Sequence, residues 1–247
     1  MKKEKYFHLM LIIFSLLLFN QCSKEKTFDC VKSTGDIQKE NRYFENFSAL
    51  YIEDNINVIL VQSMPGKIVV EAGDNLLPKI KCVQHGDTLK IQNKNTCNWV
   101  RSYKKPMNVY AGVDQIKLIY QVGYGKISTE ALLVTDTMRI STISFGEVDL
   151  NLQTNFIGFM SDDHATLKIS GSAHLSAGSC FRNASVDTGG LKVPWIYLTS
   201  KSLVDATIYA DSLAQIDIFG DGNVICKGSP LYTQYRHLAG KGSMSYQ

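Results

Sequence analysis

The sequence is short of several things, and each shortage removes a class of protein. No run of about ten or more residues carries the 3.6-residue apolar period of an amphipathic helix, so crossover helices are not expected. Beyond Leu9–Phe19 there is no long apolar run, so no later segment reads as a membrane-spanning helix. The six cysteines, Cys22, Cys30, Cys82, Cys97, Cys180 and Cys226, contain no C-x-x-C pair, which removes zinc-finger patterns. Five histidines are scattered without metal-ligand spacing. Net charge is only +3, and +1 once residues 1–21 are set aside, which argues against nucleic acid as a partner. Gly220-Asp221-Gly222 and Gly123-Tyr124-Gly125 lack the third glycine and the helix of a phosphate-binding loop. Gly171-Ser172-Ala173-His174 lacks the strand–turn–helix setting of a nucleophile elbow. No cofactor is implied.

What the sequence does have is a repeat. Between Phe145 and Pro230, short alternations recur: Val148-Asp149-Leu150, Leu167-Lys168-Ile169, Ala206-Thr207-Ile208, Ile216-Asp217-Ile218. Alternation marks a strand with one buried face. Two such strands per 19–20 residues mark a coil that stacks turn on turn. The connections carry Gly, Ser, Asp and Asn singly, and Asp221-Gly222 is the lone hairpin-type dipeptide of the stretch. The fold class is therefore all-β, a β-solenoid, with an antiparallel sandwich as the competitor. Val148, Leu167, Val186 and Ala206 are expected to form one inward ladder, and Leu175, Ile196 and Ile216 another. Asp149, Lys168 and Asp187 are expected to align outward.

Residues 1–21 read as an export signal: Lys2, Lys3 and Lys5 precede the apolar Leu9–Phe19. Cys22 follows directly, ahead of polar Ser23-Lys24-Glu25-Lys26. This resembles the looser lipoboxes of Bacteroidetes, with Gln21 where a small residue is usual. Lipid on Cys22 would anchor the chain in the cell envelope, with the outer membrane expected and its face left open. Residues 22–40 read as a tether. Residues 41–115 form an N-terminal part in which hairpins are expected, Ile56–Val61 with Lys67–Ala72 and, across His85-Gly86-Asp87, a second pair. Residues 116–247 are the repeating coil.

Candidate sites are few. Trp99, Arg101, Tyr103, Lys104 and Lys105 bring aromatic faces and cations into one loop, suited to sugar rings or anionic groups, or to capping the coil's end. Asp162-Asp163-His164 is the densest ionisable cluster, read as a solvated turn rather than as an acid–base pair. The only arginines from residue 126 to 230, Arg139 and Arg182, stand far apart in sequence. Asp87-Thr88-Leu89, Asp136-Thr137-Met138 and Asp211-Ser212-Leu213 resemble the D-S/T-apolar O-glycosylation acceptor of Bacteroidetes exports, and serve equally as turn residues.

Larger motifs carry a resemblance. Arg42-Tyr43-Phe44-x-x-Phe47 leads into Asn55-Ile56-Asn57-Val58-x-Leu60-x-Gln62. Asp74-Asn75-Leu76-Leu77, Gly86-Asp87-x-Leu89-x-Ile91, Ile218-Phe219-Gly220-Asp221-Gly222-Asn223-Val224 and Lys227-Gly228-Ser229-Pro230 follow. Together they resemble the head GIN domain family, also called "putative auto-transporter adhesins", over roughly residues 40–247. The resemblance implies a right-handed β-helix-like exported domain and no catalytic residues. The expected function is non-catalytic binding of a glycan or envelope protein. The alternative is a β-helix polysaccharide lyase or hydrolase. An acidic and basic groove would favour the enzyme, an aromatic face the binding module.

Overall fold

The computed structural model describes residues 33–95 and 107–247. Cys22, Cys30, Cys97 and the Trp99–Lys105 loop lie outside the described residues. The described chain is mostly strand, with one 3-10 turn at Leu77–Lys79. Its first strands are β1 (Ile37–Tyr43), β2 (Ala49–Asp54), β3 (Asn57–Val61), β4 (Lys67–Gly73), β5 (Ile80–His85), β6 (Thr88–Asn93) and β7 (Asn108–Gly112). Then come β8 (Leu118–Gly123), β9 (Lys126–Thr129), β10 (Leu133–Val134), β11 (Thr137–Ser144), β12 (Glu147–Ser161) and β13 (Thr166–Arg182). The last are β14 (Ser185–Lys192), β15 (Trp195–Ser202), β16 (Ala206–Tyr209), β17 (Leu213–Ile218), β18 (Val224–Lys227), β19 (Tyr232–His237) and β20 (Met244–Tyr246). Strand β1 thus occupies residues 37–40 of the segment read as a tether.

The strands stack in two parallel columns joined by corners, as a β-solenoid requires. One column runs β6, β2, β8, β11, then the second halves of β12 and β13, then β15, β17 and β19. The other runs β7, β3, β9, the first halves of β12 and β13, β14, β16, β18 and β20. Parallel stacking therefore begins with β6 and β7, well before residue 116. The expected pairing of 56–61 with 67–72 does not form. Strand β3 pairs in parallel with β7 and β9, while β4 pairs antiparallel with β1 and β7. The turn after Val61 carries the chain out of its rung to cover the coil's N-terminal end. The β5–β6 hairpin does form, His85 opposite Thr88.

Alternation fills the interior. Val58, Ile127, Val148, Leu167, Val186, Ala206 and Val224 stand in register and are buried, which includes the expected ladder of Val148 to Ala206. Each fully buried aliphatic of this size contributes about 1.5–3 kcal/mol. The second expected ladder is wrong. Ile196 stands opposite Ser176 and Ala214, Ile216 opposite Leu198, and Leu175 opposite Trp195 on the outer surface. Serine fills inward places there, so apolarity alone misjudged the phase. Asp149, Lys168 and Asp187 align outward as expected.

One inward column is polar. Gln121, Thr142, Ser161, Cys180 and Ser200 are in register and buried. Thr142 Oγ1 donates to Gln121 Oε1 at 2.9 Å, Gln121 Nε2 to the Gly125 carbonyl at 2.5 Å, and Cys180 Sγ to Ser200 Oγ at 3.4 Å. Partners of this kind offset the cost of burying polar groups. Burial pushes the Cys180 thiol above its ordinary pKa, with the Ser200 hydrogen bond opposing.

Candidate functional site

Function on a solenoid is read from its outer face and corners. On the first column the strands β13, β15 and β17 build a concavity of about 330 Å³. Its floor is Ala177, Gly178 and Ser179, small enough to let the surface dip. Tyr197 walls it, with Gln215 and Asp217 on the rim. Trp195 and Tyr197 alternate with buried Ile196 on β15, so both project outward; they are 50% and 39% exposed. Trp195 continues an apolar row, Phe156, Leu175, Trp195, Leu213 and Tyr232, in register across five rungs. Half-exposed aromatic faces beside a small-residue hollow are suited to packing a ligand, not to bond chemistry. Arg236 Nε donates to Asp217 Oδ1 at 2.6 Å, which closes the rim.

The corner that leads from the first column to the second holds the ionisable cluster. Asp54, Ser144, Asp163 and Arg182 adopt left-handed φ of 65°, 80°, 61° and 54° there, a conformation that L residues adopt at a cost. Beside them Tyr124 stacks on Phe145 at 5.6 Å and Phe145 on His164 at 4.8 Å, and Asn183 lies 3.3 Å from His164 Nε2. Arg182 lies about twenty residues along the chain from Asp162 and Asp163. One turn of the coil brings it to both: Nη2 to Asp162 Oδ2 at 2.6 Å and Nε to Asp163 Oδ1 at 2.9 Å. One guanidinium holds both carboxylates, and the imidazole is held by a ring and an amide. Every group of the cluster is engaged structurally.

The other corner carries a polar groove of about 480 Å³, lined among others by Gln115, Asp136, Gln153, Asn155, Ser172 and His174. Sequence reading missed it, because its residues are 19 to 21 positions apart and ordinary one by one. The signal was present only as the common spacing of Asp136, Asn155 and His174. Among the described residues no group of three His, Cys, Asp or Glu side chains is placed to hold a metal. Among them, too, no helix is long and apolar enough to cross a membrane. Of the three glycosylation-like tripeptides, Thr88 and Thr137 sit half-buried inside β6 and β11, and Ser212 just before β17.

The model of the family described as "Putative auto-transporter adhesin, head GIN domain" matches residues 46–230. The chain belongs to this family. Solved structures share the fold of this head GIN chain. A "putative adhesin" from Bacteroides fragilis aligns with a TM-score of 0.77 at 19% identity, covering 86% of this chain and 97% of its own. A "putative adhesin" from Parabacteroides merdae aligns at 0.65 and 18%, covering 87% and 98%. A "putative lipid binding protein" from Parabacteroides distasonis aligns at 0.65 and 13%, with the same coverage. No curated protein matches the chain.

Proposed function

We propose that this head GIN chain is an exported envelope lipoprotein, anchored through lipid on Cys22, whose solenoid is a non-catalytic, adhesin-like binding module. The observation that carries the reading is the outward Trp195–Tyr197 pair beside the Ala177–Ser179 hollow. Aromatic side chains bury large areas at little entropic cost, so an exposed pair on a rigid strand is suited to contact. Membership of a family described as adhesins supports it. The enzyme reading has less behind it. Its best cluster, Asp162, Asp163 and His164, is tied up by Arg182, Phe145 and Asn183. Glycoside cleavage needs one carboxyl free to act as acid.

The test uses the full-length chain in detergent micelles, probed against arrayed glycans and against envelope proteins. Trp195→Ala with Tyr197→Ala should lower capture about tenfold while the thermal midpoint stays within a few degrees. New reducing ends or unsaturated sugars appearing with wild type, and vanishing in Asp162→Asn/Asp163→Asn, would overturn the reading in favour of a lyase or hydrolase.

A further inference from the structure

The polar groove has a fixed hydrogen-bond polarity. Asp136 is a carboxylate, which only accepts. Asn155 therefore turns its amide nitrogen to it, Nδ2 donating to Asp136 Oδ1 at 2.6 Å. That orientation leaves Asn155 Oδ1 facing His174 Nδ1 at 2.8 Å. An amide oxygen only accepts, so Nδ1 must carry a proton. In the neutral imidazole, Nε2 is then the acceptor. At the other end Thr135 Oγ1 gives its one proton to the Ile116 carbonyl at 2.9 Å, and Gln115 Oε1 accepts from the Asp136 backbone N–H at 3.4 Å, which leaves the Gln115 NH₂ to donate. The row from Gln115 through Asp136 to His174 thus offers a donor, a carboxylate acceptor and an imidazole acceptor. Gln115 and Asp136 stand one rung, about 4.8 Å, apart along the coil axis, and Asp136 and His174 two rungs, about 9.6 Å, with Asn155 between them.

We infer that this groove binds a neutral oligosaccharide laid along the solenoid axis. A hydroxyl both donates and accepts, so a row of them satisfies this mixed set. Phosphate or carboxylate groups only accept, and would meet the Asp136 carboxylate and the His174 lone pair. An extended peptide gains affinity by pairing its backbone with a free strand edge. Here β12 is flanked by β10 and β11 on one side and β13 on the other, so no edge is free. The groove also adjoins the aromatic row: His174 precedes Leu175, which stands opposite Trp195. Sugar C–H faces pack on such rings while their hydroxyls reach polar neighbours.

The inference rests on the binding reading above, and the experiment separates the two. Full-length protein in micelles is titrated calorimetrically with cellohexaose, maltohexaose and mannohexaose, with polygalacturonate, and with a twelve-residue extended peptide library. At least one neutral hexaose is expected to bind. Asn155→Leu, which breaks the relay, and His174→Phe should each weaken it about tenfold, the worth of one or two good hydrogen bonds. His174→Gln, which restores an acceptor, should weaken it less. Unchanged melting points in these surface variants keep the comparison clean. Preference for polygalacturonate or peptide, or hexaose binding indifferent to Asn155 and His174, overturns the groove. If binding then still falls in Trp195→Ala/Tyr197→Ala, the adhesin-like reading survives. Binding of no glycan and no envelope protein overturns both.

Discussion

Gly178 lies against the ring of Phe159 on the neighbouring rung: a Cβ added to Gly178 would stand 2.1 Å from Phe159 Cε2 and Cζ. The two occupy facing positions in one inward ladder, Phe159 opposite Gly178 and Gly178 opposite Leu198. The ring fills the space that the glycine leaves, while Ala177 and Ser179 on either side point outward and keep the floor of the outer hollow low. Gly178→Val should therefore destabilise the fold by about 1–3 kcal/mol through overpacking. Adding Phe159→Leu should recover part of the loss. Urea denaturation of the four proteins of the cycle measures the coupling, and strict additivity would show that the two positions do not share space.

Ile169 is fully buried on β13 and Lys168 beside it is exposed. Ile169→Asp removes about 1.5–3 kcal/mol of burial and adds an unpaired buried carboxylate, so it should unfold the domain. Lys168→Gln, which keeps a polar outward side chain without stacking a third carboxylate between Asp149 and Asp187, should change the melting point by less than about two degrees. Equal tolerance at the two positions would mean the strand's parity is inverted.

Acid should loosen the N-terminal cover. The Glu71 carboxyl is held below its ordinary value, chiefly by the Asn108 side-chain hydrogen bond, against the opposing effect of burial and with help from Lys39 and Tyr110. A depressed carboxylate contributes stability that is present above its unfolded pKa, near 4.5, and lost as pH falls through the folded one. Stability measured from pH 6 down to about 3 should fall less steeply in Glu71→Gln than in wild type. Parallel curves would remove Glu71 from the acid response.

Cys22→Ala should release the protein into the soluble fraction and abolish incorporation of radiolabelled palmitate. This follows from the position of Cys22 directly behind the apolar Leu9–Phe19. Labelling that persists in the variant would place the anchor elsewhere.

The coil itself was legible because alternation and a near-constant period are local signals. Val148, Leu167, Val186 and Ala206 are all apolar, so their ladder could be read directly. Ser176, Gly178 and Ser200 broke the method: they occupy inward places without apolar side chains, and the ladder through Ile196 was assigned the wrong members. The N-terminal part misled for another reason. β3 and β4 look like a hairpin in sequence, but β3's partners, β7 and β9, lie far along the chain and leave no mark near it. Site residues were hardest. Arg182 reaches Asp162 and Asp163, and His174 reaches Asn155, only because one turn of coil separates them. Trp195 and Tyr197 flank Ile196, the one residue of that strand the alternation singled out, and only the small residues of the rung before them turn the pair into a recess.

The two kinds of rung differ in how long each must wait for its partner. Leu167 meets Val186 on the next turn, while Val58 meets Ile127 only after the whole β4–β7 excursion has been laid out. Loop closure is costlier across the longer span, and non-local pairing is slower. A chain threaded through a membrane N-terminus first would therefore present β2 and β3 to the new compartment early and complete them late. On this ordering the central turns would form first and serve as the template for the rung that holds β2 and β3. Pulse-labelling hydrogen exchange during refolding should protect the amides of Leu167 and Ile169 before those of Val58 and Leu60. The reverse order would mean that the cover folds first.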